Sequence, residues 1–385
     1  MWRSIASNAL TFLVVALFLF GGVLIWAQRE YHAQGPLTAA ICLEVPRGTN
    51  MRAVSEDLSE QGAVKSAIMF RVGADYGDKT QALKAGSYLV PEGASMAEIT
   101  DIVTRGGAST CGTEVVYRIG ITRATVQVRA VDPATGRYEE QASFDPGEGD
   151  TPEIYAEVKD TAGTRFRVAL AEGVTSWQVV AELTQIDVLD GEVDVPEEGS
   201  LAPDSYEILP GDSRADVITR MKERQEVILA QAWSNRAAGL PLESPEEALI
   251  LASIIEKETG GPQERREVAS VFVNRLDKGM RLQTDPTVIY GITKGEGPLG
   301  RGLRRSELDA ETPWNTYRID GLPPTPIANP GRASIEAALN PADTEYIYFV
   351  AKTLDPRDGH NFAVTLDEHN RNVAAYRALE AQRDQ

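Results

Sequence analysis

The first feature of the hydropathy pattern is an uninterrupted apolar segment near the N-terminus. No charged side chain occurs between Ala9 and Ala27, and Ile5 extends the apolar run toward the start of the chain. The segment is long enough to cross a bilayer as a helix. Because Arg3 and the amino group precede it, we expect a single-pass topology with the N-terminus in the cytoplasm and the rest of the chain outside.

A cleaved signal peptide is the alternative explanation of this segment. The apolar run is longer than the core of a usual signal peptide, and Ile25-Trp26-Ala27 is a poor cleavage site. Trp26 and Tyr31 also suit the interface between lipid and water. We therefore predict a cytoplasmic tail at residues 1–4, a transmembrane helix at residues 5–27 and a linker at residues 28–37.

Three segments beyond the anchor repeat one pattern, in which a short strand leads into a glycine turn and then into apolar positions at helical spacing. A residue that can cap a helix follows each glycine by two positions, and these residues are Asn50, Ser95 and Thr175. The pattern predicts strand–turn–helix units. The three segments are Cys42–Asn50, Tyr88–Ser95 and Val168–Thr175.

The first of these units continues through a second predicted helix, from Ser66 to Tyr76, into a predicted strand from Gly86 to Val90. This strand–helix–helix–strand order resembles a LysM module, which is a small glycan-binding fold. A structural spacer that binds no ligand is the alternative. We assign the LysM-like module to residues 38–106.

The middle of the chain changes to the two-residue periodicity of strands. Apolar residues alternate with polar ones between Thr113 and Val168, with Pro and Gly turns between them. From Ser213 onward helical spacing dominates, with strands predicted at 346–350 and 361–364. The predicted fold class is therefore α+β: a transmembrane helix, a LysM-like βααβ module with a β-rich insertion, and a C-terminal α+β domain. The insertion covers residues 107–167, a third strand–helix unit with an acidic connector covers residues 168–212, and the C-terminal domain covers residues 213–385.

One segment of the C-terminal domain predicts a helix that is surrounded by protein. It runs from Ala248 to Ile255 and is apolar almost all round. Ser244 caps the helix, Pro245 takes the first helical position, and Glu247 is placed to close a capping box. Gly260-Gly261-Pro262 ends it.

The same helix carries an acid at its C-terminal end. Glu258 shares a helical face with Leu251, Ile254 and Ile255, so its side chain extends an apolar stripe. Burial and the negative end of the helix dipole both raise the pKa of such a carboxyl group. A carboxylic acid that stays protonated near neutral pH suits general acid catalysis of glycosidic cleavage. The alternative is a solvated Glu258, or one that is paired with Lys257.

A second acid, Glu256, competes for this role. Its helical face carries Leu249, Ala252 and Ser253, which together are smaller and more polar than the face of Glu258. That environment favours a structural ion pair for Glu256.

Two later segments offer amide, carboxylate and phenol groups at rigid turns, which are typical of a sugar-binding cleft. The first is a Gln-Thr-Asp-Pro loop that runs into an apolar segment, and the second is Asn-Thr-Tyr. Ordinary turn chemistry and helix capping are the alternatives for each residue. The candidates for sugar contacts are Gln283, Asp285, Tyr290, Asn315 and Tyr317.

Composition and charge narrow the range of possible ligands and sites. A chain of 385 residues with a formal net charge of -19 is unsuited to binding nucleic acid or anionic lipid heads. The chain has three histidines and no Cys–His cluster with metal spacing, so we expect no metal site. It also lacks a glycine-rich phosphate loop, and we expect no cofactor. Cys42 and Cys111 could pair in an oxidising compartment or be two unrelated small hydrophobes.

The order of the C-terminal motifs strongly resembles that of the MltG (YceG-like) endolytic murein transglycosylases. The resemblance covers the chain from Ser213 to its C-terminus, and the anchor and LysM-like region agree with it in order. The β-rich insertion departs from the shortest members. The matching motifs are Leu251–Thr259, Val268–Leu276, Met280–Gly291, Glu311–Pro313, Asn315–Tyr317 and Gly321–Pro324.

This resemblance implies a membrane-anchored enzyme of the cell inner membrane whose extracytoplasmic catalytic domain cuts nascent peptidoglycan strands internally. The family's catalytic glutamate matches Glu258, the second acid of the Glu-Lys-Glu-Thr motif. The products implied are 1,6-anhydro-N-acetylmuramic acid ends, and peptidoglycan synthases are the implied protein partners. Two other functions stay open. One is a hydrolase of the muramidase type with Asp285 as second carboxylate, and the other is a non-catalytic glycan-binding scaffold.

Overall fold

The apolar N-terminal segment forms one long helix, α1 (Trp2–His32), in the computed structural model of the chain. Its portion Leu13–His32, with a mean hydropathy of 1.6, is long and apolar enough to cross a membrane. The structure describes residues 2–105, 111–149, 151–161, 163–259 and 261–383. Gly260, which we expected to help end the Glu258 helix, lies outside these residues.

The elements that follow α1 alternate between helices and strands in the first half and are mostly helical in the second. The helices are α2 (Met51–Glu60), α3 (Ala67–Tyr76), α4 (Met96–Arg105), α5 (Glu153–Lys159), α6 (Ser176–Gln185), α7 (Arg214–Ser234), α8 (Pro245–Glu258), α9 (Arg265–Asp277), α10 (Asp285–Thr293), α11 (Arg305–Leu308), α12 (Arg332–Leu339) and α13 (Leu366–Arg383). The strands are β1 (Ile41–Val45), β2 (Gly86–Val90), β3 (Thr113–Ile119), β4 (Ala124–Asp132), β5 (Arg137–Phe144), β6 (Arg165–Leu170), β7 (Ser205–Ile208), β8 (Tyr348–Ala351) and β9 (His360–Ala363). Three short 3-10 turns lie at Thr80–Ala82, Pro262–Glu264 and Pro356–Asp358.

The three strand–turn–helix units predicted from the repeat are present. Asn50 accepts a hydrogen bond from the backbone of Ala53 at 3.1 Å, and Ser95 and Thr175 cap α4 and α6 in the same way. The glycine two positions before each cap has a φ of 82°, 67° or 81°, a left-handed conformation that favours glycine. The repeat therefore reflects one turn chemistry used three times.

Residues Met1–Val115, Gln127–Ser143 and Thr151–Arg165 form one compact unit. Within it β1 and β2 pair antiparallel, with Leu43 opposite Tyr88, and α2 and α3 lie between them in sequence. The βααβ order is as expected, while the likeness to a LysM module stays a prediction. A disulfide joins Cys42 to Cys111 in this unit, so these two cysteines are a pair.

The segment predicted to be β-rich contains β3, β4 and β5. These strands belong to a five-stranded sheet with the order β5-β4-β3-β6-β7. Strands β6 and β7 pair antiparallel, with Val168 opposite Tyr206.

The second compact unit comprises Val116–Val126, Phe144–Asp150 and Phe166–Gln385, and its core surrounds α8. Helices α7, α9, α10 and α12 pack against α8. Every residue of α8 from Ile250 to Ile255 is buried. The expectation of a helix that is enclosed by protein is confirmed.

The last sheet differs slightly from the prediction. Strand β8 begins at Tyr348, two residues later than expected, and pairs antiparallel with β9. The reason lies in α9, because the side chain of Asn274 donates to the carbonyl of Tyr346 at 2.9 Å and Arg275 donates to that of Ile347 at 2.7 Å. Side chains of a neighbouring helix thus occupy carbonyl groups that the local pattern assigned to the strand.

Removing the disulfide should loosen the first unit selectively. The Cys42–Cys111 bond closes a loop with a sequence separation of 69 residues. Losing such a cross-link typically destabilises a domain by about 2–5 kcal/mol. We expect a Cys42→Ser/Cys111→Ser variant to show faster hydrogen–deuterium exchange at the β1 and β2 amides.

The α8 amides are the internal control for this experiment, because α8 belongs to the second unit. Their exchange rates should be unchanged in the variant. Equal acceleration in β1 and α8, or no acceleration in either, would contradict a local stabilising role of the disulfide.

Candidate active site

Glu258 is the last residue of α8, so the way this helix is built decides where its carboxyl group lies. Ser244 caps the helix by accepting from the backbone of Glu247 at 3.3 Å. The carboxylate of Glu247 accepts from the backbone of Glu243 at 2.7 Å, one residue earlier than in the capping box that we expected. At the other end, the backbone N–H of Thr259 donates to the carbonyl of Ile255 at 3.0 Å.

Burial raises the pKa of Glu258 above its usual value of 4.5, as the helical pattern predicted. Desolvation is the largest cause, and the negative charge of Asp285 raises the pKa further. Three groups oppose this rise, namely a hydrogen bond from Thr284 and the charges of His360 and Arg275. Position in the last turn of α8 acts in the same direction as burial, because the helix dipole disfavours a negative charge there.

The Thr284 hydroxyl donates a hydrogen bond to Oε1 of Glu258. Thr284 is buried and lies within a group of three threonines. The Thr316 hydroxyl accepts from the backbone of Thr284 at 3.0 Å, and it lies 2.9 Å from the hydroxyl of Thr287. This network fixes the loop before α10 against the end of α8.

Gln283 forms the turn that delivers Thr284 to this position. Its φ of 51° is left-handed, which is uncommon for a residue with a side chain. The Gln283 backbone N–H donates to the carbonyl of Thr316 at 3.1 Å, and the side chain is exposed. Gln283 therefore directly precedes Thr284, which contacts Glu258, and its side chain is open to solvent.

Asp285 and Tyr317 form a pair beside Glu258. The phenol of Tyr317 donates to Oδ1 of Asp285 at 2.7 Å. Burial and the charge of Asp285 raise the pKa of Tyr317, with a smaller contribution from Glu258. The structure thus brings Glu258, Asp285 and Tyr317 together, and Asp285 is exposed.

Asn315 holds the loop that presents Tyr317. It is fully buried, and its amide nitrogen donates to the carbonyls of Glu307, Leu308 and Ala310 at 2.6–3.2 Å. Its amide oxygen accepts from the backbone of Tyr317 at 3.0 Å. These contacts occupy both ends of the amide, so the turn chemistry weighed as an alternative describes this residue.

Tyr290 lies in a different polar group of the same unit. Its hydroxyl interacts with Glu198 and Thr325, and burial raises its pKa. Its ring lies 6.0 Å from that of Trp314. Tyr290 is thus five residues along α10 from Asp285 but engages other partners.

Sequence reasoning missed Arg275, Thr284 and His360. Arg275 is buried, and its guanidinium lies 5.5 Å from the centre of the Tyr348 ring. His360 is held by Glu264, which accepts from its backbone at 2.7 Å and lies 2.7 Å from its ring nitrogen Nδ1. The local signal for Arg275 was its own charge, which interrupts the apolar sequence of α9.

Glu256 is placed away from this chemistry. Its Oε2 accepts from the backbone of Gly331 at 3.0 Å, and its Oε1 lies 3.8 Å from the guanidinium of Arg265. The Glu256 side chain is only 8% exposed. The structural ion pair expected for this acid is present.

Metal chemistry finds no support at this site in the part of the chain that the structure describes. No group of three or more His, Cys, Asp or Glu side chains among those residues could hold a metal ion. The arrangement offers one half-buried acid that can transfer a proton, one exposed carboxylate, and nearby cationic groups whose charges favour the ionised form of the acid.

Several known proteins match this chain over most of its length. The endolytic murein transglycosylase of Bacillus subtilis (strain 168) is 29% identical over 338 residues, which are 87% of this chain and 84% of that protein. The endolytic murein transglycosylase of Streptococcus pneumoniae serotype 2 (strain D39) is 25% identical over 95% of this chain, and the match spans 64% of that protein. A crystal structure of a yceG-like protein from Listeria monocytogenes shares 25% identity over 86% of this chain and 98% of that chain, with a TM-score of 0.47.

The family model also matches most of the chain. The model of the YceG-like family covers residues 43–139 and 134–375, and thus both the βααβ region and the site around Glu258. Coverage of this extent exceeds half of the chain. The chain belongs to the YceG-like family.

Proposed function

We propose that this protein is a membrane-anchored lytic transglycosylase that cuts peptidoglycan strands internally, with Glu258 as its catalytic acid and base. The observation that carries the proposal is a half-buried carboxyl group at the end of α8, whose pKa is raised by desolvation and which accepts a hydrogen bond from the buried Thr284. The names of the relatives, endolytic murein transglycosylase, support the substrate class. The proposed bond is the one between N-acetylmuramic acid and N-acetylglucosamine.

The first step of the mechanism is protonation of the leaving group. Protonated Glu258 donates its proton to the glycosidic oxygen as the bond to the muramyl anomeric carbon breaks. The muramyl ring gains oxocarbenium character, and Glu258 becomes a carboxylate. Burial favours the protonated form that this step consumes.

The second step closes the sugar ring on itself. The Glu258 carboxylate takes the proton of the muramyl 6-hydroxyl, whose oxygen bonds to the anomeric carbon. The product is a 1,6-anhydro end, Glu258 is protonated again, and no water is consumed. One carboxyl group therefore serves both steps, whereas most glycoside hydrolases use two.

The neighbours of Glu258 balance its two protonation states. The Thr284 hydroxyl and the charges of Arg275 and His360 favour the carboxylate that forms after the first step. Asp285 favours the protonated form that starts the reaction. We propose that Tyr317 and Asp285 contact the sugar at the exposed edge of the site, where Gln283 is also open to solvent.

A hydrolase is the second candidate, because Asp285 supplies an exposed carboxylate whose charge acts on Glu258. Asp285 would then activate a water molecule as general base while Glu258 protonates the leaving group. The Tyr317 phenol would hold the base in place through its 2.7 Å hydrogen bond.

The anchor and the βααβ region complete the proposal. We propose that α1 crosses the cytoplasmic membrane once, with the N-terminus inside and the catalytic unit outside, in line with its candidate span Leu13–His32. The LysM-like region would bind glycan strands, and peptidoglycan synthases would be partners at the growing strand. A pure scaffold function would leave Glu258 without a role.

Replacing each of the two acids of α8 in turn tests the assignment of Glu258 as the catalytic acid. Glu258→Gln removes the proton donor with little change in volume, and loss of general acid–base catalysis costs about two to four orders of magnitude in rate. We expect cleavage of purified peptidoglycan to fall by that amount. Because ionisation of a buried acid with a raised pKa opposes folding as pH rises, the variant should unfold no more easily than the parent at neutral pH.

Glu256→Gln is the matched control on the same helix. It should keep its activity but lose about 1–3 kcal/mol of unfolding free energy, since the largely buried Arg265 would keep Glu172 but lose Glu256 as a charge partner. An inactive Glu256→Gln variant beside an active Glu258→Gln variant would exchange the two roles and refute the mechanism.

The chemical structure of the newly formed glycan-strand ends distinguishes the transglycosylase reaction from hydrolysis. Peptidoglycan digested in water enriched in heavy oxygen should yield 1,6-anhydro ends without label, because the 6-hydroxyl is the nucleophile. Mass analysis of the fragments measures this directly. Labelled reducing ends would show hydrolysis instead and would make Asp285 the general base.

The pH profile should respond in opposite directions to two neighbouring variants. Activity requires protonated Glu258, so the alkaline limb of kcat/KM follows its pKa. Thr284→Val removes a hydrogen bond that lowers this pKa and should move the limb to higher pH. Asp285→Asn removes a charge that raises it and should move the limb to lower pH. Shifts in the same direction would mean that another group controls the profile.

A further inference from the structure

Helix α3 carries an apolar stripe that is largely exposed in the part of the chain that the structure describes. Ile68, Val72 and Tyr76 are 66%, 63% and 92% exposed, and their spacing of four residues places them on one helical face. Among the described residues outside α1, they are the three most exposed large hydrophobic side chains. We refer to these three residues as the α3 stripe.

The end of α1 is fastened to the same unit beside this stripe. Gly73 of α3 lies so close to the ring of Tyr31 that a β-carbon at this position would overlap it. The Tyr31 hydroxyl lies 2.7 Å from that of Thr100 in α4. Helix α3 therefore continues the surface of α1 directly and is not linked to it by a free tether.

Helix α3 runs along α1 in the direction that brings the α3 stripe beside the apolar segment of α1. At the start of the helix, Lys65 donates to the carboxylate of Glu30 at 2.6 Å, close to the C-terminal end of α1. Farther along, Val72 and Tyr76 line a cavity of about 590 Å³ together with Leu24 and Ile25. Tyr76 thus lies at the level of the last apolar turns of α1.

Charged residues border the apolar surface that α3 and the cavity form. Asp75 is exposed and lies at one edge of the α3 stripe. Lys79 and Asp101, which also line the cavity, form an ion pair, which reduces the electrostatic cost of placing either charge near lipid. An apolar stripe between polar margins is the pattern of a helix that lies in a membrane interface.

We propose that the α3 stripe docks into the outer interface of the same bilayer that α1 crosses, so that α3 lies on the membrane as a second attachment. The partner is the boundary between acyl chains and headgroups of a zwitterionic lipid, since a net charge of -19 gives no attraction to anionic heads. The inference rests on the proposed anchoring by α1, from which the stripe is continuous. Its consequence is that the βααβ region is held at one height and orientation on the lipid surface.

Spin labels on the full chain in phosphatidylcholine vesicles test the docking. The two native cysteines are joined in a disulfide, so a new cysteine can be labelled alone. A label at Val72→Cys should collide with oxygen readily and with a water-soluble nickel chelate several-fold less often than a control label. The control is Glu60→Cys, exposed at the end of α2 that adjoins the start of α3.

Vesicle flotation separates the docking from the anchoring. If the protein floats with the vesicles but both labels meet the nickel chelate equally, α1 is inserted and the docking is overturned. If the protein does not float, the anchor and the docking both fail. Tyr76→Asp, at a position that is 92% exposed and so tolerates charge in water, should keep the protein floating but restore nickel access at position 72.

Discussion

The arrangement of the candidate site depends on the half-buried carboxyl group of Glu258 at the end of an apolar helix. Partial burial of Glu258 disfavours its charge and raises its pKa above that of an ordinary glutamate. A buried hydroxyl group within α8 is hydrogen-bonded on both sides. Ser253, fully buried in α8, donates to the carbonyl of Ile250 at 2.7 Å and accepts from the backbone of Ile327 at 3.0 Å. Such pairing lets α8 be surrounded by protein without leaving the Ser253 hydroxyl unsatisfied.

Two acids on one helix show how environment decides their role. Glu256 faces a cation and a backbone donor, which stabilise its charge. At Glu258 desolvation and the negative charge of Asp285 outweigh the hydrogen bond from Thr284 and the charges of Arg275 and His360, so its pKa is raised. The threonine group around Thr284 ties the loop before α10 to the end of α8. The chemistry proposed for this site therefore relies on side chains from three parts of the chain that meet at one helix end.

The local signals in the sequence were sufficient for α8 and for the three repeated turns. Ser244, Pro245 and the apolar run specify the helix, and the position of Glu258 on its apolar face predicts burial. The partners of Glu258 were out of reach, because Thr284 and His360 are brought to it only by tertiary packing. Asn315 was assigned to sugar contact on its residue type alone, while the choice of its hydrogen-bond partners depends on how a loop closes. The same limit explains the late start of β8, whose neighbouring carbonyls are occupied by α9 side chains.

The protonation state of Glu258 is the quantity on which the proposed chemistry depends, and infrared difference spectroscopy can measure it. Spectra of the protein and of its Glu258→Gln variant, subtracted at each pH, isolate the carbonyl band of this one protonated carboxyl group. We predict that the midpoint of the loss of this band lies above pH 4.5, the ordinary pKa of a glutamate. A band that disappears at or below pH 4.5 would show that Glu258 is an ordinary carboxylate, and it would contradict the account.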